Sequence, residues 1–503
     1  MNENRCRMPT FVSVILFIVI FALACSAHGA ATSQRDAWGP RFQDGPRFHH
    51  GMKPRPRFGL DAVRGWSDIA LDANALDHAR SAPNGPEQLG PLRTARALAI
   101  VHIAIFDAVN AIAGGYRGYT RLGHVTDLVS VDAAVAQAAH DTLAALFPSQ
   151  AMSFDMQLAE ELSRIRDGRA KRNGVDLGRR AAAAILALRA SDGSQHLEEL
   201  FGTEYLPAAG ANKWRQDPIS DIPIALGSRW GELVAPFVLT SADQFPIPAP
   251  PAAGSPEFIA AFDEVKNYGG CGSDPAACAV GFDGFVTPTI RTSEQTQIGI
   301  YWGYDGTPGL GTPPRLYNQI AVQIAEQKGS SGLELARLLA LINVAMADAG
   351  LAAWKAKYDY EFARPITAIR EAGFPTWTPL GAPASNKIGP NFTPPFPAYA
   401  SGHATFGAAL FQILRKFYHT DRIAFTFVSD EFNGVTMDNT GMPRPLLPRS
   451  FSSLSQAEEE NGQSRIYLGI HWAFDKTEGI AQGRRVADYV LKNLFTPVHE
   501  GRR

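Results

Sequence analysis

The chain has 503 residues, of which 45% are hydrophobic and 19% are charged. This composition supplies enough apolar material for a large core and excludes a mainly disordered protein. The 47 Lys and Arg residues nearly balance the 49 Asp and Glu residues, for a formal net charge of −2, so no global basic excess indicates binding to nucleic acid.

The N-terminus has the pattern of an export signal. Arg5 and Arg7 precede an apolar run over residues 11–23, and small residues follow up to Ala31. Because this run is too short to span a bilayer comfortably, we predict a signal peptide over residues 1–30. An uncleaved N-terminal anchor is the alternative. Export makes the expected location secreted or periplasmic, with no membrane contact after the signal is removed.

A flexible tail is predicted to follow the signal. Residues 31–64 are rich in Arg, Gly, Pro and Phe and show neither a helical nor a strand period. Such a segment cannot bury enough apolar surface to order itself. Nothing in the sequence requires this basic tail to contact an anionic surface.

The cysteine pattern agrees with export. Once the signal is removed, the mature chain keeps only Cys271 and Cys278, which bracket a stretch containing Gly and Pro. That stretch can turn back on itself, and an oxidising compartment favours disulfides. We predict a small loop-closing disulfide, with two free thiols as the alternative.

The body of the chain is patterned as helices. Ala- and Leu-rich segments with apolar residues three and four apart predict one all-α domain over residues 65–497. We expect two helical bundles wrapped by long loops: an N-terminal bundle over about 90–200, a Pro- and Gly-rich middle over 200–290, and a C-terminal bundle with the active site over 291–497. The predicted helices cover residues 95–112, 131–147, 154–165, 178–190, 293–304, 317–329, 333–360, 401–418 and 479–495.

The first of three informative segments is KYDYEFARP, which contains Lys357, Arg364 and Pro365. Because seven residues are close to two helical turns, we expect both cationic side chains to point the same way. Pro365 disfavours helix at the preceding residue and should release the chain there. Two cations on one face indicate an anion site. A solvated Lys/Arg face is the alternative, and it is the commoner case for such a segment alone.

The second segment, PPFPAYASGHATFGAA, is expected to open a helix at Ser401 and Gly402. Hydroxyl and backbone N–H groups at the positive end of a helix form a ready anion site. His403 falls beside that end, on the apolar face of the helix. A histidine there is often a satisfied core residue, but its place beside an anion site favours acid–base chemistry.

The third segment, SRIYLGIHWAFD, contains Arg465, Gly469, His471 and Asp475. If its second half is helical, His471 and Asp475 are one turn apart, so the carboxylate can orient the imidazole. Arg465 offers a planar fork of donors suited to an oxyanion. Gly469 lets the backbone approach a ligand closely.

Taken in this order, the segments resemble the signature of the vanadium-dependent haloperoxidase and acid phosphatase superfamily, which runs Lys-x6-Arg-Pro, Pro-Ser-Gly-His and Ser-Arg-x3-Gly-x-His-x3-Asp. Other segments, such as AIVHIAIFDAVNAI and NVAMADAGLAAWKAKY, look like the secreted haloperoxidase branch, and the resemblance covers roughly residues 65–495. One departure is Ala400, which stands where the family usually has Pro. Because Ala can adopt the required backbone angles, we expect a slightly looser but intact site.

The resemblance implies a vanadium chloroperoxidase-like fold and a vanadate cofactor, with a site that phosphate can also occupy. His471 would be bonded directly to vanadium, and Asp475 would support it from behind. His403 would be the acid–base that helps peroxide bind and protonates the departing oxygen, and Lys357 would assist catalysis. The vanadate oxygens would be held by a shared set of donors: Lys357, Arg364, Ser401, the Gly402 N–H and Arg465.

Vanadate and phosphate share charge and tetrahedral shape, so more than one function remains open. As a haloperoxidase, the protein would use hydrogen peroxide to oxidise a halide to hypohalous acid, which halogenates a small organic acceptor. As an acid phosphatase, it would form a phosphohistidine at His471, while His403 protonates the leaving alcohol. A third possibility is an oxyanion-binding protein without turnover, although binding alone has no need for His403 beside a His471–Asp475 pair.

Two aromatic residues favour the haloperoxidase hypothesis. Trp354 and Phe396 match positions where fungal-type chloroperoxidases carry Trp and Phe beside the vanadate, and they are the predicted halide pocket. An apolar wall desolvates a halide and so makes it a better nucleophile. Bromoperoxidases tend to have His at the Phe position. The alternative is that both residues are ordinary core aromatics.

Overall fold

The computed structural model describes residues 59–80, 85–272, 278 and 286–498. Helices dominate this part of the chain, which confirms the predicted all-α class. The first helix begins at Leu60, so the predicted boundary between tail and domain at residue 65 is wrong, because residues 60–64 already belong to this helix. The predicted signal peptide, residues 1–30, and tail residues 31–58 lie outside the described residues.

The N-terminal half is built from five long helices. Local signals explain several of their ends, as where Ser130 accepts a hydrogen bond from the N–H of Ala133 and caps the third helix. Gly114 ends the second helix with a positive φ of 71°. The helices are α1 (Leu60–Asp77), α2 (Gly90–Ala113), α3 (Val131–Leu146), α4 (Ala151–Arg164) and α5 (Arg169–Arg189).

The middle of the chain is mostly irregular, as expected, but it also holds a helix that the sequence patterns did not indicate. A short pair of strands, β1 (Glu199–Leu200) and β2 (Ile224–Ala225), is antiparallel. It is followed by a single turn, α6 (Trp230–Leu233), and by α7 (Pro256–Tyr268), which is capped by Ser255. Cys271 and Cys278 form the predicted disulfide.

The C-terminal half contains the remaining helices and a hairpin. Ser331 and Glu334 form a capping box at the start of the longest helix, so its N-terminus is specified locally. The helices are α8 (Ser293–Tyr301), α9 (Pro313–Gln327), α10 (Gly332–Tyr360), α11 (Pro365–Glu371), α12 (Gly402–Phe417), α13 (Leu454–Tyr467) and α14 (Ala473–Asn493).

The hairpin lies between α12 and α13. Strands β3 (Phe425–Asn433) and β4 (Leu446–Phe451) pair antiparallel, with Phe425 opposite Phe451 and a register shift between Val428 and Asn433. Alternate residues at the start of β3 are buried, which is the period of a strand with one covered face. The hairpin and α13 were not predicted from the sequence.

One continuous apolar core joins the two halves of the molecule. It extends from Ala62 to Phe495 and includes residues of both bundles. Helices α2 and α10 are central to it, and both are long and apolar enough to cross a membrane. In each, 94% of the most apolar stretch is buried inside the protein, as is usual for core helices. The shared core fixes the last third of the chain against the first.

Candidate active site

The three predicted segments meet at a cavity of about 720 Å³, a size typical of small-molecule sites. The C-terminal ends of α10 and α13, the N-terminal ends of α12 and α14 and the loop over residues 394–398 come together there. Six residues of the predicted site or halide pocket line the cavity: Trp354, Phe396, Gly402, His403, Arg465 and His471.

His471 is oriented through one ring nitrogen. Its Nδ1 lies 2.8 Å from Oδ2 of Asp475, which also accepts the backbone N–H of Trp472. Its Nε2 lies 2.9 Å from Nη1 of Arg364. Because a guanidinium can only donate, Nε2 must be the acceptor and Nδ1 must carry the proton. The expected orientation by Asp475 is therefore present, although His471 precedes α14 instead of lying within it.

Burial keeps the imidazole neutral. Desolvation lowers the pKa of His471 well below its usual value, and the nearby charges of Arg364 and Lys357 lower it further. Desolvation raises the pKa of Asp475 to about 7, against the opposing hydrogen bond from the Trp472 backbone. A neutral ring with its proton on Nδ1 presents a lone pair at Nε2, which can bind a metal centre or act as a nucleophile.

Lys357 and Arg364 come together, but not by sharing a helical face. Helix α10 ends at Tyr360, and Glu361 adopts a left-handed conformation with φ of 47°. The expectation of a common helical face is therefore wrong, because the helix is over before Arg364, which instead caps α11. Lys357 Nζ donates to the carbonyls of Pro397 and Ala398 at 2.8 and 2.9 Å.

Arg364 is held at the same loop. Its Nε donates to the Phe396 carbonyl at 2.8 Å, and its Nη1 donates to the Ile470 carbonyl at 2.8 Å. Both cations are buried, so the alternative of a solvated cationic face is also wrong. Burial lowers the pKa of Lys357 well below its usual value and that of Arg364 to about 9. Neither cation contacts a carboxylate among the described residues, and buried cations in that situation favour a bound anion.

The helix N-terminus lies where the sequence indicated. Ser401 is the N-cap of α12, and its Oγ accepts the N–H of Ala404 at 3.4 Å. Gly402 packs against the indole of Trp354, and a Cβ there would lie 3.1 Å from that ring. The small residue therefore leaves the first turn close to the aromatic wall, and the free N–H groups of that turn carry the positive end of the helix dipole.

His403 is buried beside this N-terminus. Its Nε2 lies 2.7 Å from the carbonyl oxygen of Gly303. Since a carbonyl only accepts, Nε2 carries the proton. Burial lowers the pKa of His403 well below its usual value, and the charge of Arg465 adds to this. The neutral ring therefore offers Nδ1 as a proton acceptor. His403 is more than a packed core histidine, because it also lines the cavity.

Arg465 has a partner that the sequence reasoning missed. Its Nη2 donates to Oδ1 of Asp305 at 2.6 Å. Its Nε and Nη1 are buried and find no hydrogen-bond partner among the described residues. Asp305 lies in a Gly-containing loop after α8, where no periodic pattern singles it out. A buried guanidinium needs a countercharge, and this requirement is the only sequence-level reason to expect an acidic partner such as Asp305 for Arg465.

The predicted halide pocket forms one aromatic wall. The rings of Trp354 and Phe396 are 4.8 Å apart between centroids, and both are buried. Lys357 Nζ lies 5.3 Å and 5.1 Å from their respective centroids. The Trp354 Nε1–H donates to the Leu226 carbonyl at 3.0 Å, which leaves the rest of the indole apolar. These residues are core aromatics that also line the cavity.

The combined residues fit a tetrahedral oxyanion such as vanadate or phosphate. In their charged forms Lys357, Arg364 and Arg465 exceed Asp305 and Asp475 by one positive charge, and burial, which lowers the pKa of Lys357 and raises that of Asp475, opposes these charges until an anion is bound. Two donors of Arg465 are buried and unpartnered within the described part of the chain, and unmade hydrogen bonds of a buried cation are costly. An anion with several acceptor oxygens would satisfy them.

Comparisons with known proteins point in the same direction. A family model described as "VCPO second helical-bundle domain" matches residues 337–500. The chain is 32% identical over 483 residues to vanadium chloroperoxidase from Curvularia inaequalis. This alignment covers 82% of this chain and 78% of that protein.

Solved structures share the fold. A bacterial vanadium-dependent iodoperoxidase superimposes with a TM-score of 0.69 at 22% identity, covering 90% of this chain and 100% of that one. A holo-type bacterial vanadium-dependent chloroperoxidase gives a TM-score of 0.57 at 17% identity, covering 84% of this chain and 96% of that one.

Proposed function

Because the chain belongs to the vanadium chloroperoxidase family, we propose that it is an exported vanadate-dependent haloperoxidase that uses hydrogen peroxide to oxidise halide to hypohalous acid. The observation that carries this proposal is the group of three buried cations around the neutral His471. The Nε2 lone pair of His471 faces Arg364, and Arg465 has two unpartnered donors among the described residues. This arrangement supports a bound oxyanion that also receives one nitrogen ligand.

In this proposal each group of the site has a separate task toward vanadate. His471 would supply the single protein ligand to the metal through Nε2, and Asp475 fixes its tautomer through Nδ1. Bound vanadate supplies a Lewis acid that activates peroxide without changing its own oxidation state. The oxygens of vanadate would be held by donors of four side chains and one backbone group: Lys357, Arg364, Ser401, the Gly402 N–H and Arg465.

His403 is the proposed acid–base. Its neutral ring accepts a proton from peroxide as peroxide binds, and returns a proton to the oxygen that leaves. The Gly303 carbonyl keeps Nε2 protonated and so directs this exchange to Nδ1. Lys357 lies behind the aromatic wall of Trp354 and Phe396, and in its protonated form it would stabilise negative charge that develops as oxygen is transferred to halide.

The aromatic wall supports halide oxidation. Trp354 and Phe396 present apolar surface to the cavity, and a halide that has lost its hydration shell is a stronger nucleophile. The wider cavity gives access to a small organic acceptor.

Acid phosphatase activity is the second candidate, and one observation favours it. His471 is oriented by Asp475 with Nε2 as an acceptor, which is also what a histidine nucleophile requires. His403 would then protonate the leaving alcohol. An oxyanion-binding protein without turnover is the third candidate, and the pairing of two differently oriented neutral histidines argues against it.

Export is part of the proposal. The apolar run over residues 11–23 and the small residues after it support a signal peptide, and a disulfide between Cys271 and Cys278 fits an oxidising compartment. We propose that the mature protein is secreted or periplasmic. N-terminal sequencing of the protein recovered from culture medium or periplasm tests this, and a retained Met1 would contradict it.

The activity is tested with protein purified free of metal. Halogenation of a dye is followed with peroxide and chloride, bromide or iodide, before and after vanadate is added. We expect activity only with vanadate, and competition by phosphate for the same site. Halogenation of equal rate without vanadate would contradict the proposal.

A further inference from the structure

Residues 301–305 connect two functional parts of the site. The carbonyl of Gly303 lies 2.7 Å from His403 Nε2, and Oδ1 of Asp305 lies 2.6 Å from Arg465 Nη2. One short stretch of backbone therefore sets the orientation of both the proposed acid–base and the arginine fork. Any group that fixes this stretch acts on both.

Strand β3 holds the stretch through its own polar residues. Ser429 Oγ donates to the Tyr301 carbonyl at 2.7 Å, and the backbone N–H of Asp430 donates to the Tyr304 hydroxyl at 2.7 Å. The backbone N–H of Tyr304 donates to Oε1 of Glu431 at 3.2 Å. Tyr304 has a φ of 58°, a left-handed conformation that a bulky residue keeps only when surrounding contacts hold it.

Glu431 is held in place on one side and contacts residues 303–304 on the other. Its side chain is fully buried, and its Oε2 accepts hydrogen bonds of 2.6 Å from the Ser385 hydroxyl and from Nη1 of Arg444. Gly303 packs against the same carboxylate, so that a Cβ at this position would collide with Oε1. The carboxylate thus receives a hydrogen bond from the stretch and also limits where its backbone can lie.

We propose that Glu431 is a positioning residue for the haloperoxidase reaction. Its carboxylate, fixed by Arg444 and Ser385, holds the backbone of residues 303–305 and so orients His403 and Arg465. Glu431 contacts neither of these two side chains and acts on them through the backbone of Gly303 and Tyr304, which carries the Gly303 carbonyl and leads directly into Asp305. The inference rests on the proposed function, and it extends the site to a strand that none of the three sequence segments includes.

Two variants test this role from opposite sides of the contact. Glu431→Gln keeps the size of the side chain but removes the charge and turns an amide toward Arg444. Gly303→Ala pushes on the same carboxylate without changing any charge. For both variants we expect the vanadate Kd to rise by about tenfold and the kcat of bromide oxidation to fall by about tenfold. This is the scale for residues that orient the groups in direct contact with a metal site. The bromide KM should stay unchanged, because Trp354 and Phe396 lie outside this stretch.

A matched control separates positioning from general destabilisation. Asp192 is a buried carboxylate that accepts the Arg96 Nε–H at 2.6 Å and contacts none of the site residues. Asp192→Asn should lower the melting temperature as Glu431→Gln does, because each leaves a buried arginine short of its partner. Its vanadate Kd and kcat should equal those of the wild type.

The outcomes are distinguishable. Wild-type vanadate Kd and kcat in both Glu431→Gln and Gly303→Ala would overturn the positioning role, as would equal losses in Asp192→Asn. Orthophosphate binding, measured by calorimetry, reports on the same donors without turnover. If the wild type binds phosphate but does not oxidise halide, the proposed function fails, while weaker phosphate binding in Glu431→Gln would still support the positioning role.

Discussion

The Asp475 carboxylate lies 2.8 Å from Nδ1 of His471 and fixes which of the two ring nitrogens carries the proton. Arg364 faces the other nitrogen at 2.9 Å, and it can only donate. The lone pair of Nε2 is therefore directed toward the buried cations. This one relationship makes His471 suitable as a metal ligand.

Asp475→Asn should weaken vanadate binding by about 10- to 100-fold, because the amide no longer fixes the tautomer of His471 with a charged acceptor. Titration calorimetry of the metal-free protein with vanadate measures the change. Asp488→Asn on the same helix is the control, since Asp488 accepts a hydrogen bond from Gln412 away from the site. An unchanged Kd in Asp475→Asn would show that the pair has no role in the cofactor site.

Arg465→Lys should raise the Kd for phosphate and vanadate by at least about tenfold. Lysine keeps the charge but loses the planar fork, of which one arm binds Asp305 and two donors are unpartnered among the described residues. Arg449→Lys is the matched control, because its fork pairs with Glu460 outside the cavity. Equal affinities in the two variants would argue against Arg465 as an oxyanion donor.

The two histidines should separate binding from turnover. His471→Ala removes the proposed metal ligand and should abolish tight vanadate binding. His403→Ala should keep binding within a few-fold and lose about 10²- to 10⁴-fold in kcat, the usual contribution of a general acid–base. Vanadate titration and bromide oxidation are measured on the same preparations. The assigned roles are incorrect if both variants lose binding equally.

Phe396→His should change halide preference. The imidazole brings polar atoms to the wall beside Trp354 and lets a small halide keep more of its hydration, so chloride should suffer most. We expect kcat/KM for chloride to fall by about tenfold relative to that for bromide, which corresponds to about 1.4 kcal/mol in the barrier. Bromide oxidation by the same variant is the internal reference. Parallel loss for both halides would mean that the wall has only a packing role.

Much of the site could be predicted from the sequence because its residues lie in ordered motifs beside helix ends. Ser401 does cap a helix, and Asp475 does orient His471. The way in which Lys357 and Arg364 come together was not predicted. Lys357, in the last turn of α10, and Arg364, beyond the end of that helix, both donate to carbonyls of the loop over residues 394–398, and a spacing argument cannot show a tertiary contact of that kind.

The elements that were not predicted, α13 and β3, lack a clear hydrophobic period. Helix α13 has polar or charged residues at most of its positions, so its apolar period is weak, and β3 becomes fully buried over its second half, where the alternation disappears. The side chains of Asp305 and Glu431 are buried, and the contacts that tie them to the site, with Arg465 and with the Tyr304 backbone, are far away in sequence. Their role depends on packing between segments, which no local pattern reveals.

The most direct test of the central claim follows both candidate reactions in one sample. Vanadate is titrated into the metal-free wild-type protein while bromide oxidation by peroxide and hydrolysis of p-nitrophenyl phosphate are measured. We expect bromide oxidation to rise from zero and saturate at one vanadate per chain, and any hydrolysis to fall as the same cradle fills. No vanadate-dependent oxidation, together with robust hydrolysis that vanadate inhibits, would contradict the haloperoxidase account and establish the phosphatase.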